Sequence, residues 1–310
     1  MVTRSILAVL ATAVAAVLLA ACGDGGDQTT GSGGPIVAVT TTQLGDFARE
    51  VAGTRASVRQ ILEPNSDPHA YEPRPSDLRA VTGAKVVVRS GGDLDKWLDD
   101  ILRNAGSGAR QITIIDALHT RRLDGAVDPH WWQDPRNAVI AVQRIRDALV
   151  AADPAGTAVY TANAARYIAS LRTLDRAIGA CMRLIPADRR RLVTDHDALG
   201  YYADRYAIAV IGTVIPALST QAEASAGEVA KLVQTIRAAH VTTIYSESSV
   251  NPKLVQAIAA EAHATVGPAL YADSLGAKGT PGATYLGSLR SNTQALVAGF
   301  TGGRGHCSLP

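Results

Sequence analysis

One stretch constrains the fold of this chain more than any other. Between Asp153-Pro154 and Pro186, the residues Tyr160, Ala164, Tyr167, Leu171, Leu174, Ile178, Cys181 and Ile185 recur at spacings of four and three. That is the period of a single helix face. Asp153 is a capping acid, and Pro154 suits the first helical position, so the pair is a start signal. Pro186 ends the pattern. The segment 153–186 is therefore expected as one helix of roughly 30 residues, ~45 Å long at 1.5 Å per residue, against a usual ~11 residues. A rod of that length crosses a whole domain. Its stripe mixes Tyr, Ala and Cys with Leu and Ile, which suits packing onto globular lobes better than a coiled-coil seam.

On both sides of the rod, short β-branched runs alternate with helical patterns. The expected strands are Ile36–Thr41, Val58–Leu62, Lys85–Val88, Gln111–Ile115, Arg191–Thr194, Ala207–Ile211 and Val241–Tyr245. The expected helices are Gln43–Val51, Leu94–Arg103, Pro135–Ala151, Ala226–Ala239, Pro252–Ala262 and Ala283–Phe300. Such alternation argues for the α/β class, with parallel-type sheets covered by helices. The chain of 310 residues is long enough for about two domains at ~100–200 residues each. The expected layout is an N-terminal lobe over 36–152, the linker helix over 153–186 and a C-terminal lobe over 187–310.

Residues 1–21 stand apart from this body. Arg4 gives a short positive start, and Ser5–Ala21 is apolar, acid-free and rich in small residues. That is an export signal, short for a membrane span. Leu19-Ala20-Ala21-Cys22 resembles the bacterial lipobox, in which the Cys thiol takes a diacylglycerol and becomes the mature N-terminus. Residues 22–35 then form a Gly-rich polar tether with too few apolar side chains to fold. A lipid anchor at Cys22 places the body at the outer face of the cytoplasmic membrane. The formal net charge of +2 gives no reason to expect nucleic acid as a partner. Cys181 and Cys307 remain; in an oxidising compartment they invite a disulfide, separate buried thiols being the alternative.

The chemistry centres on histidine. Two of the seven sit in the same tripeptide, Asp67-Pro68-His69 and Asp128-Pro129-His130, each in a loop after a strand. His196 lies two residues past the strand Arg191–Thr194. Ligands of parallel sheets bind outside the carboxyl ends of the strands, so these three imidazoles are expected to converge between the lobes. Three imidazoles plus a carboxylate suit a divalent transition metal, zinc above all. The prolines stiffen both loops. Asp67, Asp128, Asp195 and Asp197 are candidates to orient the rings. His119, His240, His263 and His306 lack such context.

Several motifs carry a family resemblance. Asn65–Asp77 (NSDPHAYEPRPSD), Asp128–Pro135 (DPHWWQDP), Thr194–Tyr202 (TDHDALGYY) and Tyr271–Gly276 (YADSLG) occur in this order. They resemble the ligand motifs of the zinc/manganese-type solute-binding proteins of ABC importers, over about 36–300. The resemblance implies two α/β lobes joined by a rigid helix. It implies His69, His130, His196 and Asp273 as metal ligands, and a monomer that hands its metal to a membrane permease driven by an ATPase. Manganese-type members tend to carry Glu at the third position, so His196 favours Zn2+ as the transported ligand, with Mn2+ or Fe2+ as alternatives. By the same analogy Glu247 and Glu223 lie near the crevice and compete with Asp273 as the carboxylate. Segment 116–128 holds only His119 and few acids, which argues against the metal-gathering loop of many zinc-type members. A zinc hydrolase is the rival reading, but the chain lacks an H-E-x-x-H helix or a comparable base beside a ligand. A surface adhesin using metal structurally would leave the crevice unexplained. The expectation is a binding protein and not an enzyme.

Overall fold

The computed structural model describes residues 33–310; the export segment, Cys22 and the tether as far as residue 32 lie outside it. The first half is built on a four-stranded parallel sheet. Strands β1 (Ile36–Val39), β2 (Ser57–Gln60), β3 (Val86–Arg89) and β4 (Arg110–Thr113) stand in the order β2-β1-β3-β4. The two central strands read IVAV and VVVR and are almost wholly buried, as strands covered on both faces must be. Helices α1 (Thr42–Ala52), α2 (Pro75–Val81) and α3 (Leu98–Ala105) make the crossovers. A two-residue turn, Asp124-Gly125, joins the short hairpin strands β5 (Arg122–Leu123) and β6 (Ala126–Val127). Both turn residues have positive φ, as tight hairpin turns require. Helix α4 (Pro135–Ala152) follows, with Pro135 at its first turn and the Asp134 carboxylate accepting from Arg136 N at 2.9 Å.

The long helix is α5, Thr157–Arg183, 27 residues and so ~40 Å. It is shorter than the expected 153–186 because a 3-10 turn over Pro154–Gly156 precedes it. Asp153 does not cap it. Its carboxylate pairs instead with Arg55 (2.7 Å) and accepts from the Tyr160 hydroxyl (2.8 Å).

The second half has smaller parallel pairs. β7 (Arg191–Thr194) pairs with β8 (Ala209–Thr213) across a register shift at Leu192/Val193, and β9 (Thr243–Ile244) pairs with β10 (Thr265–Val266). A bond from Tyr245 N to Val193 O (3.0 Å) sets β9 beside β7. Helices α6 (Gly200–Tyr206), α7 (Ala226–Ala238), α8 (Lys253–Ala262) and α9 (Tyr285–Phe300) cover them. Ser225 and Glu228 close a reciprocal capping box on α7.

Other departures have local causes. The helix expected from Leu94 begins only at Leu98, because the Asp95 carboxylate takes Ser90 N (2.6 Å), Gly91 N (3.0 Å) and the Thr40 hydroxyl (2.8 Å), bending the chain. The strand expected over Val241–Tyr245 shrinks to Thr243–Ile244. Helices α2 and α6 were not foreseen; seven residues each is too short for a helical period to show.

The main core runs through both halves. Phe47 of α1 meets Tyr285 of α9 edge-on (4.8 Å between centroids), with Tyr167 of α5 and Trp131 at 6.2 and 6.4 Å. A smaller core lies between β7, β9, α7 and α8. Cys181 of α5 is disulfide-bonded to Cys307, their Cα atoms 6.0 Å apart, fastening the C-terminal segment to the long helix.

Candidate metal centre

The chain places one His in each of three loops. His69 lies between β2 and α2, His130 just after β6, and His196 just after β7. The two Asp-Pro-His tripeptides fold alike at the backbone. Asp67 Oδ1 accepts from His69 N (2.9 Å), and Asp128 Oδ1 accepts from His130 N (3.0 Å). These are turns in which a carboxylate bonds the backbone two residues on.

The three side chains meet Asp273 from the loop before α9. The Nε2 atoms of His69 and His196 lie 3.2 and 3.3 Å from His130 Nε2. Asp273 Oδ2 is 3.4 Å from His69 Nε2 and 3.3 Å from His196 Nε2, and Oδ1 is 3.4 Å from His130 Nε2. Zinc bonds of about 2.0–2.1 Å give a tetrahedron whose edges are about 3.3–3.4 Å, so the donors already stand at the spacing of a coordination shell. His130, His196 and Asp273 are fully buried at their side chains, and His69 is 7% exposed. Neither Asp273 oxygen accepts a hydrogen bond. A buried carboxylate without partners is costly, and a cation at the centre of the four removes that cost.

Two of the three rings, His130 and His196, are held from behind. Asp128 Oδ1 sits 2.8 Å from His130 Nδ1, and its other oxygen pairs with Arg121 (2.7 Å). Burial opposes charge on Asp128, but the His130 and Arg121 contacts prevail and hold its pKa below the usual range. Glu247 Oε1 sits 2.7 Å from His196 Nδ1, and Asp195 accepts from Glu247 N at 2.6 Å. Burial disfavours charge on His196, yet the flanking Glu247 and Asp273 carboxylates raise its pKa well above the ordinary value. Burial, then the Glu247 charge, pushes the Asp195 carboxyl up to about 7. Asp273 is held well below the usual range: burial works against this, and the His196 and His130 charges overcome it.

Of the four acids expected to orient rings, only Asp128 reaches one. Asp67 spends its second oxygen on the Thr220 hydroxyl (2.6 Å), and Asp197 takes the Thr213 hydroxyl (3.3 Å). Glu247 approaches the outer nitrogen of His196 and stands behind the four donors rather than among them. Glu223 and His119 are exposed and outside the cluster. Sequence reasoning missed the residues bracing Asp273. Trp132 Nε1 (2.8 Å) and Gln133 Nε2 (2.7 Å) both donate to Ala272 O, Gln43 Nε2 donates to Asp273 O (3.0 Å), and Leu275 N donates to Thr42 Oγ1 (2.9 Å). Their one sequence signal is that Trp132 and Gln133 lie two and three residues after His130.

The chain as a whole is similar to known proteins. The family model described as zinc-uptake complex component A, periplasmic (ZnuA), matches residues 37–299. The manganese-binding lipoprotein MntA of Halalkalibacterium halodurans is 31% identical over 293 residues, covering 93% of this chain and 96% of the relative. The iron-binding protein YfeA of Yersinia pestis is 28% identical over 268 residues, covering 85% and 86%. The solved structure of the periplasmic zinc-binding protein TroA of Treponema pallidum aligns with a TM-score of 0.81 at 25% identity, over 86% of this chain and 99% of that one.

Proposed function

The chain belongs to the ZnuA family of metal-binding proteins, and from that premise we propose that its cargo is Zn2+, held by His69, His130, His196 and Asp273. At the coarser level it is an extracytoplasmic substrate-binding protein of a metal-importing ABC transporter, not an enzyme. The observation that carries zinc is the third nitrogen donor. His196 makes the set three imidazoles and one carboxylate, whereas manganese prefers oxygen. The donor spacing of 3.2–3.4 Å agrees with a compact shell. Hydrogen bonds behind His130 and His196 and beside Asp273 brace these donors, which lowers the ordering cost of binding.

A second reading has its own support. Both Asp273 oxygens face histidine nitrogens, which offers five donors and suits a larger ion such as Mn2+ or Fe2+. The relatives named for manganese and iron point the same way. Equilibrating the protein with equimolar Zn2+, Mn2+ and anaerobic Fe2+, then desalting and measuring metals, separates the two. About one zinc per chain supports the proposal; manganese or iron in its place overturns it.

The rest of the reading follows from the sequence. Cys22 carries the lipid that holds the protein at the outer membrane face, and the chain acts as a monomer. It passes its metal to a permease powered by a cytoplasmic ATPase.

A further inference from the structure

At the amino ends of β7 and β9 the structure has a second cleft, of about 470 Å³. Its rim carries Arg189, Arg191, Arg304 and His240, with Thr301 and a single acid, Asp188. None of the three arginines forms an ion pair among the described residues. Arg191 donates to Ala239 O and Arg304 Nε to Thr301 O (3.4 Å). A guanidinium offers five N–H donors, so each retains several unspent. Three guanidiniums with free N–H donors line one concavity against a single acid, a donor set suited to an anion.

The cleft is separate from the metal centre. Arg191 opens β7 and His196 follows its far end, about 16 Å away at ~3.3 Å per residue. From this we infer that the cleft is a second binding site, for a phosphate monoester. Three arginines against Asp188 leave about two positive charges, matched by a phosphate dianion, and Arg binds phosphate through paired N–H donors. The volume lies within the ~300–1,000 Å³ of small-molecule sites, beyond what a bare ion needs. Val241 and Phe300, both 8% exposed, supply an apolar wall for the organic part. That part belongs either to a soluble metabolite or to a lipid headgroup.

Calorimetry on the zinc-loaded full chain in neutral detergent tests this, with glycerol 3-phosphate, dihexanoyl phosphatidic acid and dihexanoyl phosphatidylcholine as probes. One phosphate monoester is expected to bind per chain, and phosphatidylcholine not at all. Binding of both monoesters assigns a soluble source; binding of phosphatidic acid alone assigns a lipid. The Arg189→Gln/Arg304→Gln double variant should bind at least tenfold more weakly, on the scale of a lost charge-assisted bond, with zinc affinity unchanged. If the double variant loses zinc binding as well, Arg304→Gln alone is measured, since Arg304 is exposed and its side chain bonds only Thr301 O. Absence of saturable monoester binding, or binding undiminished by the substitutions, overturns the inference.

Discussion

Removing the carboxylate behind His196 gives a direct reading of how the centre is built. Glu247 Oε1 lies 2.7 Å from His196 Nδ1, and both side chains are fully buried, away from bulk water. The contact fixes which nitrogen carries the proton and turns Nε2 toward the other donors. Partners of this kind contribute 10–100-fold to metal affinity, or about 1.4–2.7 kcal/mol. Glu247→Gln keeps an acceptor and loses the charge, so zinc binding at pH 7 should weaken by roughly tenfold. Glu247→Ala leaves a buried N–H unpaired, which costs ~1–3 kcal/mol more and takes the loss to about 100-fold or beyond. Competition against a fluorescent zinc chelator measures both. The pH profile supplies a second readout. His196 owes its raised pKa to Glu247 and Asp273 acting against burial. Without Glu247, protons compete less well, and the steep part of the affinity profile moves to lower pH. Wild-type affinity and an unmoved profile in Glu247→Gln would refute this account of His196.

The metal-free protein should show the opposite side of the same electrostatics. His196, raised above 6.5, contributes stability that is complete below that value and is lost as pH rises through the raised pKa. Asp273, lowered below 3.8, contributes above that value and loses it as pH falls. The metal-free melting temperature should therefore be highest between these limits and decline in alkali, and scanning fluorimetry showing a rise from pH 7 to 9 would contradict it. Cys181→Ser with Cys307→Ser opens a link across 126 residues, which should cost ~2–5 kcal/mol in denaturant titrations while zinc affinity holds. Phe47→Ala removes a ring packed among Trp131, Tyr167 and Tyr285 and should cost ~3–5 kcal/mol by the same titration; a change under 1 kcal/mol would mean the two halves do not share a core. Thr220→Val removes the hydroxyl that ties Asp67, and so the His69 loop, to the second half; stopped-flow zinc release should speed up several-fold, with Thr220→Ser near wild type.

What the sequence disclosed was local. The two Asp-Pro-His tripeptides are readable because the turn they encode needs only its own residues, and Asp67 and Asp128 bond the following His N almost identically. Beyond the turn the two diverge. Asp128 also reaches its own ring nitrogen, while Asp67 reaches Thr220, and that difference is set by the opposing lobe. Glu247 was visible as an acid near the crevice, but its distance from His196 in sequence, 51 residues, hid which side of the ring it takes. The same holds for Gln43, Trp132 and Gln133, which converge on 272–273 from 139 to 230 residues away. The long helix showed its period plainly. Its first turn departs from the pattern because Asp153 has Arg55 as a better partner than the helix end.

Helix α9 has a consequence for the order in which the molecule can be assembled. Tyr285 packs on Phe47, its N–H reaches Asp46 (3.2 Å), and its hydroxyl donates to Trp132 O, all in the first half of the chain. Asp273 is braced by that same half. A chain that emerges amino end first presents α1 and α4 long before α9 and Asp273 arrive to cover them. The first half must therefore wait, with its central aromatic cluster uncapped, until nearly the last residues are delivered. All four metal donors coexist only once Asp273 has been delivered, so the site cannot form while most of the chain is still being made.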